Sequence, residues 1–340
     1  MDLVALNAVA EQLVRPGRGL LAADETPGTI KKRFDAIGVE STEASRRDYR
    51  ELLFRSAGAM SDYISGVILH DETVWQAAAD ARPLVELITA AGVLFGVKVD
   101  KGVKPLPLFP GETVTEGLDG LEERLRGYRE RGARFAKWRA VIDISAGVPT
   151  AAAVKANAHA LARYAALCQA CETVPIVEPE VLMEGGHDIA RCDEVTRFTL
   201  HTVFQELFEQ RVALEGMVLK PNMITSGKQF GREDAVEDVA ERTLATLKAT
   251  VPSAVPGVAF LSGGQSDTAA TAHLDALNRL GGAPWRMTFS YGRALQVAPQ
   301  KAWSGKQENA AAAQRAFAHR ARMNSLASLG RWDGSLEDAM

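Results

Sequence analysis

The 340-residue sequence predicts an α/β fold: a single closed (β/α)8 barrel, eight parallel strands alternating with helices. Three observations predict it. Eight short β-type runs recur at spacings of roughly 30–45 residues, which suits strand, loop, helix, loop units. The stretches between them carry helical periodicity. Polar residues concentrate at the ends of the runs, where barrels of this kind build their sites.

The elements follow in order. Residues 2–15 read as an amphipathic helix, with Leu3, Leu6, Val9 or Ala10, and Leu13 on one face. The first run is 19–24 (GLLAAD). A helix over 42–59 carries Leu52, Leu53 and Phe54 on a charged background. Runs two and three are 66–71 (GVILHD) and 94–100 (LFGVKVD). A loop over 102–117, dense in Pro and Gly, follows the third, and the charges of 122–134 read as a solvated helix face. The fourth run is 134–142 (RFAKWRAVI). An alanine-rich helix over 151–170 places Leu161, Tyr164 and Leu167 at helical spacing before the fifth run, 174–181 (VPIVEPEV). The sixth run is 216–223 (GMVLKPNM), followed by a long loop to residue 234. Runs 257–264 (GVAFLSGG) and 287–293 (MTFSYGR) complete the eight. A second alanine-rich helix and a short acidic tail, 309–340, close the chain, and residues 1–340 are expected to form one domain.

Composition excludes several classes. With 46% hydrophobic and 24% charged residues the chain is not a disordered one. A formal net charge of −4 leaves no basic excess for nucleic acid. No apolar stretch reaches the length of a membrane span, and Asn7 and Glu11 interrupt the N-terminal helix, so it does not read as a signal peptide. Three cysteines are too few for a disulfide scaffold, and Cys168 and Cys171, at a helix end, read as core packing. The cytoplasm is the expected location.

Four runs carry polar pairs at spacing i, i+2: Lys98 and Asp100, Lys137 and Arg139, Glu178 and Glu180, Lys220 and Asn222. A strand alternates faces, so each pair points one way. Between the members stand Val99, Trp138, Pro179 and Pro221, which suit the outer, helix-facing side. The pairs are therefore expected inside the barrel mouth, with Asp24 from the first run. Ser262 lies at the end of the seventh run, and Ser290 and Arg293 at the eighth. Desolvating that many charges costs several kcal/mol unless they are paired, and apolar filling would serve stability as well. A chemical role is the better account. A lysine so placed is a candidate amine nucleophile, because desolvation and neighbouring cations favour its neutral form. Residue physics leaves Lys98, Lys137 and Lys220 all open. Glycines at 261–266 (LSGGQS) and 290–293 (SYGR), including Gly263 and Gly292, allow backbone N–H groups to approach a phosphate.

Nine stretches then match one family in order: GRGLLAADETPGTIKKR (17–33), GVILHDET (66–73), GVKVDKGV (96–103), GETVTEGLDGL (111–121), FAKWRAV (135–141), VPIVEPE (174–180), EGMVLKPNM (215–223), FLSGGQS (260–266) and TFSYGRALQ (288–296). From about residue 3 to 330 the chain resembles class I fructose-bisphosphate aldolase, the metal-independent, Schiff-base type built on a TIM barrel. The resemblance implies Lys220 as the Schiff-base lysine and Glu178 as the proton shuttle for carbinolamine dehydration. It implies Asp24 as base at the C4 hydroxyl and Lys137 as the cation ordering both carboxylates. Glu180 resembles a partner that orients Lys220 or Glu178. Ser262, Gly263 and Arg293 resemble the grip on one phosphate, with Ser290 and Gly292 beside them. Arg33, Lys98 and Arg139 resemble residues at the other end or at the substrate hydroxyls. Thr26 and Thr29 stand where the family usually has serines, and Pro27 is a departure.

The activity implied is reversible cleavage of fructose 1,6-bisphosphate to dihydroxyacetone phosphate and glyceraldehyde 3-phosphate, in glycolysis and gluconeogenesis. Fructose 1-phosphate or sedoheptulose 1,7-bisphosphate are alternative substrates, and a non-catalytic sugar-phosphate-binding scaffold is the alternative of another class. No cofactor or metal is implied. His70, His159, His187, His201, His273 and His319 show no paired ligand spacing. Phosphorylated ketoses and triose phosphates are the expected partners, with a homo-oligomer, a tetramer by resemblance. Many members end in a mobile tail with a tyrosine. Here the last tyrosine is Tyr291, so proton exchange at the enamine carbon is expected to rely on water or on Glu178.

Overall fold

The computed structural model describes residues 1–338. Ala339 and Met340, the end of the expected tail, lie outside the described residues. All eight runs form strands: β1 Gly19–Ala23, β2 Ile64–Leu69, β3 Leu94–Lys98, β4 Phe135–Ile142, β5 Val174–Val181, β6 Val218–Leu219, β7 Gly257–Phe260 and β8 Arg286–Tyr291. Each pairs in parallel with its sequence neighbours, and β1 pairs with β8 to close the barrel.

Alternation along the strands divides the core in two. Leu20, Ile68, Phe135, Val174, Ile176, Val218 and Ala259 face inward. Leu6, Val9, Ala10, Leu13 and Val14, from the helix Leu3–Leu13 and its C-terminus, plug the floor against them. Asp2 caps that helix by accepting from the Ala5 amide at 3.0 Å. Leu21, Ala23, Val67, Leu69, Val97, Trp138, Val177 and Leu219 face outward into the layer shared with the helices. Each large apolar side chain buried there contributes about 1.5–3 kcal/mol relative to exposure. The parity of the floor fixes the parity of the mouth: two residues beyond Ala22, Ile176 and Val218 stand Asp24, Glu178 and Lys220.

Three expectations need correction. The helix over 42–59 is two helices, Glu43–Phe54 and Ala57–Tyr63, because Ser56 leaves the helical region at φ −74, ψ 66. The loop over 102–117 holds a short antiparallel hairpin, Val103–Pro105 with Thr113–Thr115. Buried Asn157 anchors it, accepting from Thr115 N at 3.1 Å and donating to Thr113 O at 2.8 Å. The sixth run pairs over Val218–Leu219 alone, and the chain is irregular from there to residue 235. Other elements match: the helix Ala151–Ala170 has the expected bounds, and Ala310–Ala327 lies within the expected C-terminal helix. The tail folds back on the latter. Glu337 pairs with Arg320, and Trp332 Nε1 donates to Glu337 Oε1 at 3.0 Å.

Candidate active site

At the C-terminal mouth of the barrel lies a cavity of about 410 Å³. Thirteen of the residues expected there line it: Asp24, Arg33, Lys98, Lys137, Arg139, Glu178, Glu180, Lys220, Ser262, Gly263, Ser290, Gly292 and Arg293. Parallel pairing sets their levels. Lys98 stands beside Lys137, and Arg139 beside Glu178, on neighbouring strands.

A chain of ion pairs crosses the cavity. Lys137 Nζ lies 3.0 Å from Asp24 Oδ2 and 2.6 Å from Glu178 Oε2. The other Glu178 oxygen, Oε1, lies 3.0 Å from Lys220 Nζ. Glu178, Lys137 and Lys220 are all buried, so water screens these contacts little.

The two lysines are charged by different surroundings. Burial alone would lower the Lys137 pKa, but Asp24, Glu178 and Asp100 outweigh it and raise it far above the ordinary value. Lys220 has Glu178 close by and Lys137 as a neighbouring like charge. Burial, helped by Lys137, outweighs Glu178 and Asp24, and its pKa is lowered. Lys137 is thus a permanent cation, and Lys220 is the lysine moved toward a neutral amine. Burial raises the pKa of Asp24 and of Glu178. For Asp24 the charges of Lys137 and Lys220 outweigh that rise, and for Glu178 those of Lys137, Lys220 and Arg139 do. Both carboxyls are held below their ordinary range.

Three expectations change in detail. Glu180 pairs with Arg139 Nε, and not with Lys220 or Glu178. Asn222 does not line the cavity. Its Oδ1 accepts from Val181 N at 3.1 Å and its Nδ2 donates to Thr196 Oγ1 at 3.2 Å, which ties the end of β5 to the following helix. Asp100 also stays outside. It receives Lys98 Nζ at 2.6 Å and the Arg139 amide at 3.1 Å, linking the ends of β3 and β4.

Around the rim, Ser262 and Gly263 follow β7. The helix Arg293–Trp303 begins after β8 with no side-chain cap, which leaves its first N–H groups available to an anion. Ser290 Oγ is buried in the cavity wall with no protein partner among the described residues, so it is available to a bound hydroxyl or phosphate. Arg33 Nη2 lies 3.7 Å from where a Cβ on Gly292 would stand, which puts it beside Arg293. Burial, then the Arg33 charge, lowers the Arg293 pKa against Glu180 and Glu184.

Sequence reasoning missed the support behind Arg33. Glu25 is buried, pairs with Arg33 Nη1, and accepts from Gln296 Nε2 at 2.7 Å. Fully buried Arg50 donates to the Glu25 carbonyl at 2.9 Å. The available signal was adjacency: a second carboxylate directly after Asp24 shares the same buried mouth, which it lines, and a buried charge needs partners.

The family model described as fructose-bisphosphate aldolase class-I matches residues 5–340. The chain belongs to the class I fructose-bisphosphate aldolase family. A probable class 1 aldolase of Xanthomonas axonopodis pv. citri is 52% identical over 98% of this chain and 100% of its own length. A cytosolic aldolase of Arabidopsis thaliana is 51% identical over 98% of this chain and 84% of its own. The structure of the Plasmodium falciparum aldolase, solved with TRAP and a small-molecule inhibitor, matches with a TM-score of 0.96. It is 47% identical, over 98% of this chain and 96% of that one. This aldolase is therefore an enzyme of the carbon–carbon lyase class, on a (β/α)8 barrel. Among its described residues no group of three or more His, Cys, Asp or Glu is arranged to hold a metal ion. Nor is any described helix long and apolar enough to cross a membrane.

Proposed function

We propose that the chain cleaves fructose 1,6-bisphosphate reversibly into dihydroxyacetone phosphate and glyceraldehyde 3-phosphate, through a Schiff base on Lys220. The observation that carries this reading is the row Lys220, Glu178, Lys137, Asp24, each within 3.0 Å of the next. It pairs a nucleophile with two separate proton carriers and fixes a cation between them.

The neutral Lys220 amine attacks the ketose C2 carbonyl. Glu178, in contact with Lys220, moves the proton that lets the carbinolamine hydroxyl leave as water. The protonated imine then draws electrons toward C2. Asp24, ionised at neutral pH, accepts the C4 hydroxyl proton. The C3–C4 bond breaks, its electrons form the enamine, and the aldehyde half departs. Protonation at C3 and hydrolysis of the imine release dihydroxyacetone phosphate and restore Lys220. Lys137 stays charged throughout and favours the anionic form to which both carboxylates return between proton transfers.

Ser262, Gly263, Ser290, Gly292 and Arg293 serve one phosphate, with Arg33 turned toward the same side. It is assigned here to C1 because Leu261 N donates to Pro221 O at 3.1 Å and sets the loop after β7 beside Lys220, which attacks C2. Lys98 and Arg139 serve the other end or the hydroxyls. We further propose that residues 1–340 act as one unit, in the cytoplasm, as a homo-oligomer of the tetrameric kind. The name of the cytosolic Arabidopsis relative supports the location. The deciding experiment is borohydride added with dihydroxyacetone phosphate in the presence of chelator. Irreversible inactivation with a reduced triose on Lys220 is expected. A label on another lysine alone, or activity abolished by chelator, overturns the reading.

A further inference from the structure

We propose that Lys228 is an additional phosphate-binding residue, released from Glu184 when substrate enters. The inference rests on the C1-phosphate assignment above and names a residue beyond it.

Lys228 belongs to the irregular segment after β6, yet its backbone is fixed. Gly227 N donates to His187 O at 2.8 Å, Lys228 N to Met183 O at 2.9 Å, and Gln229 N to Gly185 O at 2.8 Å. These three bonds lace the segment to the loop after β5. The approach is close enough that a Cβ on Gly227 would lie 2.2 Å from Gly185 O. Only the four-carbon stem of Lys228 is left free to move.

That stem ends at the phosphate loop. A Cβ on Gly264 would lie 2.4 Å from Lys228 Nζ and 3.0 Å from Arg293 Nη2. One glycine, directly after Ser262 and Gly263, is thus flanked by two cationic groups. Lys228 stands on its far side, in a second cavity of about 510 Å³, and Arg293 on the catalytic side. The absence of a side chain at Gly264 keeps the path between them short. A phosphate dianion accepts from several donors at once, so a second cation beside Arg293 has a ligand to serve.

The partner that holds Lys228 is weakly bound. Its Nζ lies 2.7 Å from Glu184 Oε1, with the two side chains 40% and 56% exposed. An ion pair so open to water is worth little and is readily exchanged for a dianion. Glu184 therefore parks the cation and competes with the phosphate for it.

The test compares Lys228→Met, Lys228→Arg and Glu184→Gln, with the unvaried protein first shown to trap dihydroxyacetone phosphate on Lys220. If that control fails, the reading of the site is wrong, whatever Lys228 does. Given a working control, Lys228→Met is expected to raise KM about ten- to a hundredfold, the loss of one charge-assisted bond. The same factor is expected for fructose 1,6-bisphosphate and fructose 1-phosphate, with a much smaller change in kcat. Inhibition by inorganic phosphate weakens in parallel, and Lys228→Arg restores most of the loss. Trapping of unphosphorylated dihydroxyacetone stays as it was. Glu184→Gln lowers KM by up to about fivefold, because the competitor is gone. An unchanged KM in Lys228→Met overturns the proposal. So does an equal loss with dihydroxyacetone, or a KM raised by Glu184→Gln, since either marks a structural ion pair.

Discussion

Lys220 Nζ lies 3.0 Å from Glu178 Oε1, and the opposite oxygen of that carboxylate lies 2.6 Å from Lys137 Nζ. One carboxylate is shared unequally by two buried amines. Lys137 has a second anion, Asp24, at 3.0 Å, and among the described residues Lys220 has no second anion so close. That asymmetry favours a fixed charge at Lys137 and suits Lys220 to the nucleophile's part in the function proposed above.

Removing Lys137 tests it. Its charge lowers the Lys220 pKa, so Lys137→Met is expected to shift the acid limb of imine trapping to higher pH. Turnover should fall at least about a hundredfold, as when an electrostatic stabiliser is lost from a dry site. Borohydride trapping with dihydroxyacetone phosphate across pH 5–9 reads the shift. A profile superimposable on that of the unvaried protein refutes the account.

The same variant has a stability signature. Asp24 and Glu178 have folded pKa values below their unfolded ones. Their contribution is present above the unfolded carboxylate range and is lost as pH falls through the folded values. Lys137→Met removes the cation responsible and is expected to cost about 3–5 kcal/mol near neutrality. The gap should narrow on acidification below about pH 4, where both carboxylates of the variant protonate first. Urea unfolding at neutral and acid pH measures it, and a gap that widens in acid has the wrong sign.

Glu178→Gln keeps the shape and removes the proton carrier. Loss of turnover by about a hundred- to ten-thousandfold is expected, the range for general acid–base groups. The Glu178 charge raises the Lys220 pKa, so the amine becomes more neutral in this variant and attack itself is not slowed. Dehydration is, so carbinolamine should accumulate and resist borohydride. Rapid-quench mass spectrometry separates the two adducts, and imine formed at the normal rate refutes the role of Glu178.

Strand parity was legible because charge at i, i+2 in β4 and β5 has no outward solution. Trp138 and Pro179 between the charges claim the helix-facing side, and Trp138 does pack there, against Tyr164 with ring centroids 5.5 Å apart. The choice among three lysines was not legible from residue physics, because it depends on which anions stand opposite across the barrel. The family motif around Lys220 supplied that choice, and the unequal anion environment agrees with it. Asn222 shows the limit of parity. It follows Lys220 at i+2, but strand pairing ends at Leu219, and beyond a strand alternation no longer governs direction. Glu180 was misassigned for a related reason. Its partner, Arg139, is on the neighbouring strand, and no pattern along β5 reveals that pairing.

Asn222→Ala separates structure from chemistry. It leaves the buried Val181 N–H without its acceptor and Thr196 without its donor. A loss of about 1–3 kcal/mol is expected, the cost of an unsatisfied buried group. The pH dependence of imine trapping should not move, because Asn222 does not line the cavity. A shifted trapping profile would place Asn222 in the titrating network.

Glu25 and Arg33 give the last expectation. Glu25 lines the cavity beside Asp24, accepts from Gln296 and receives Arg50 at its carbonyl, and it holds Arg33 beside Gly292 and Arg293. Arg33 carries a long stem, so without that anchor much of its binding contribution goes to ordering the side chain. Glu25→Gln is therefore expected to raise KM for phosphorylated substrates while changing kcat less. It should also cost about 1–3 kcal/mol of stability, because Arg50 loses one of its two counter-charges. The decisive measurement is a double-mutant cycle with Arg33→Met. If Glu25 acts on substrate only through Arg33, the double variant has the KM of Arg33→Met alone. Additive effects would show that Glu25 acts on substrate by a separate route, from its own place in the cavity lining.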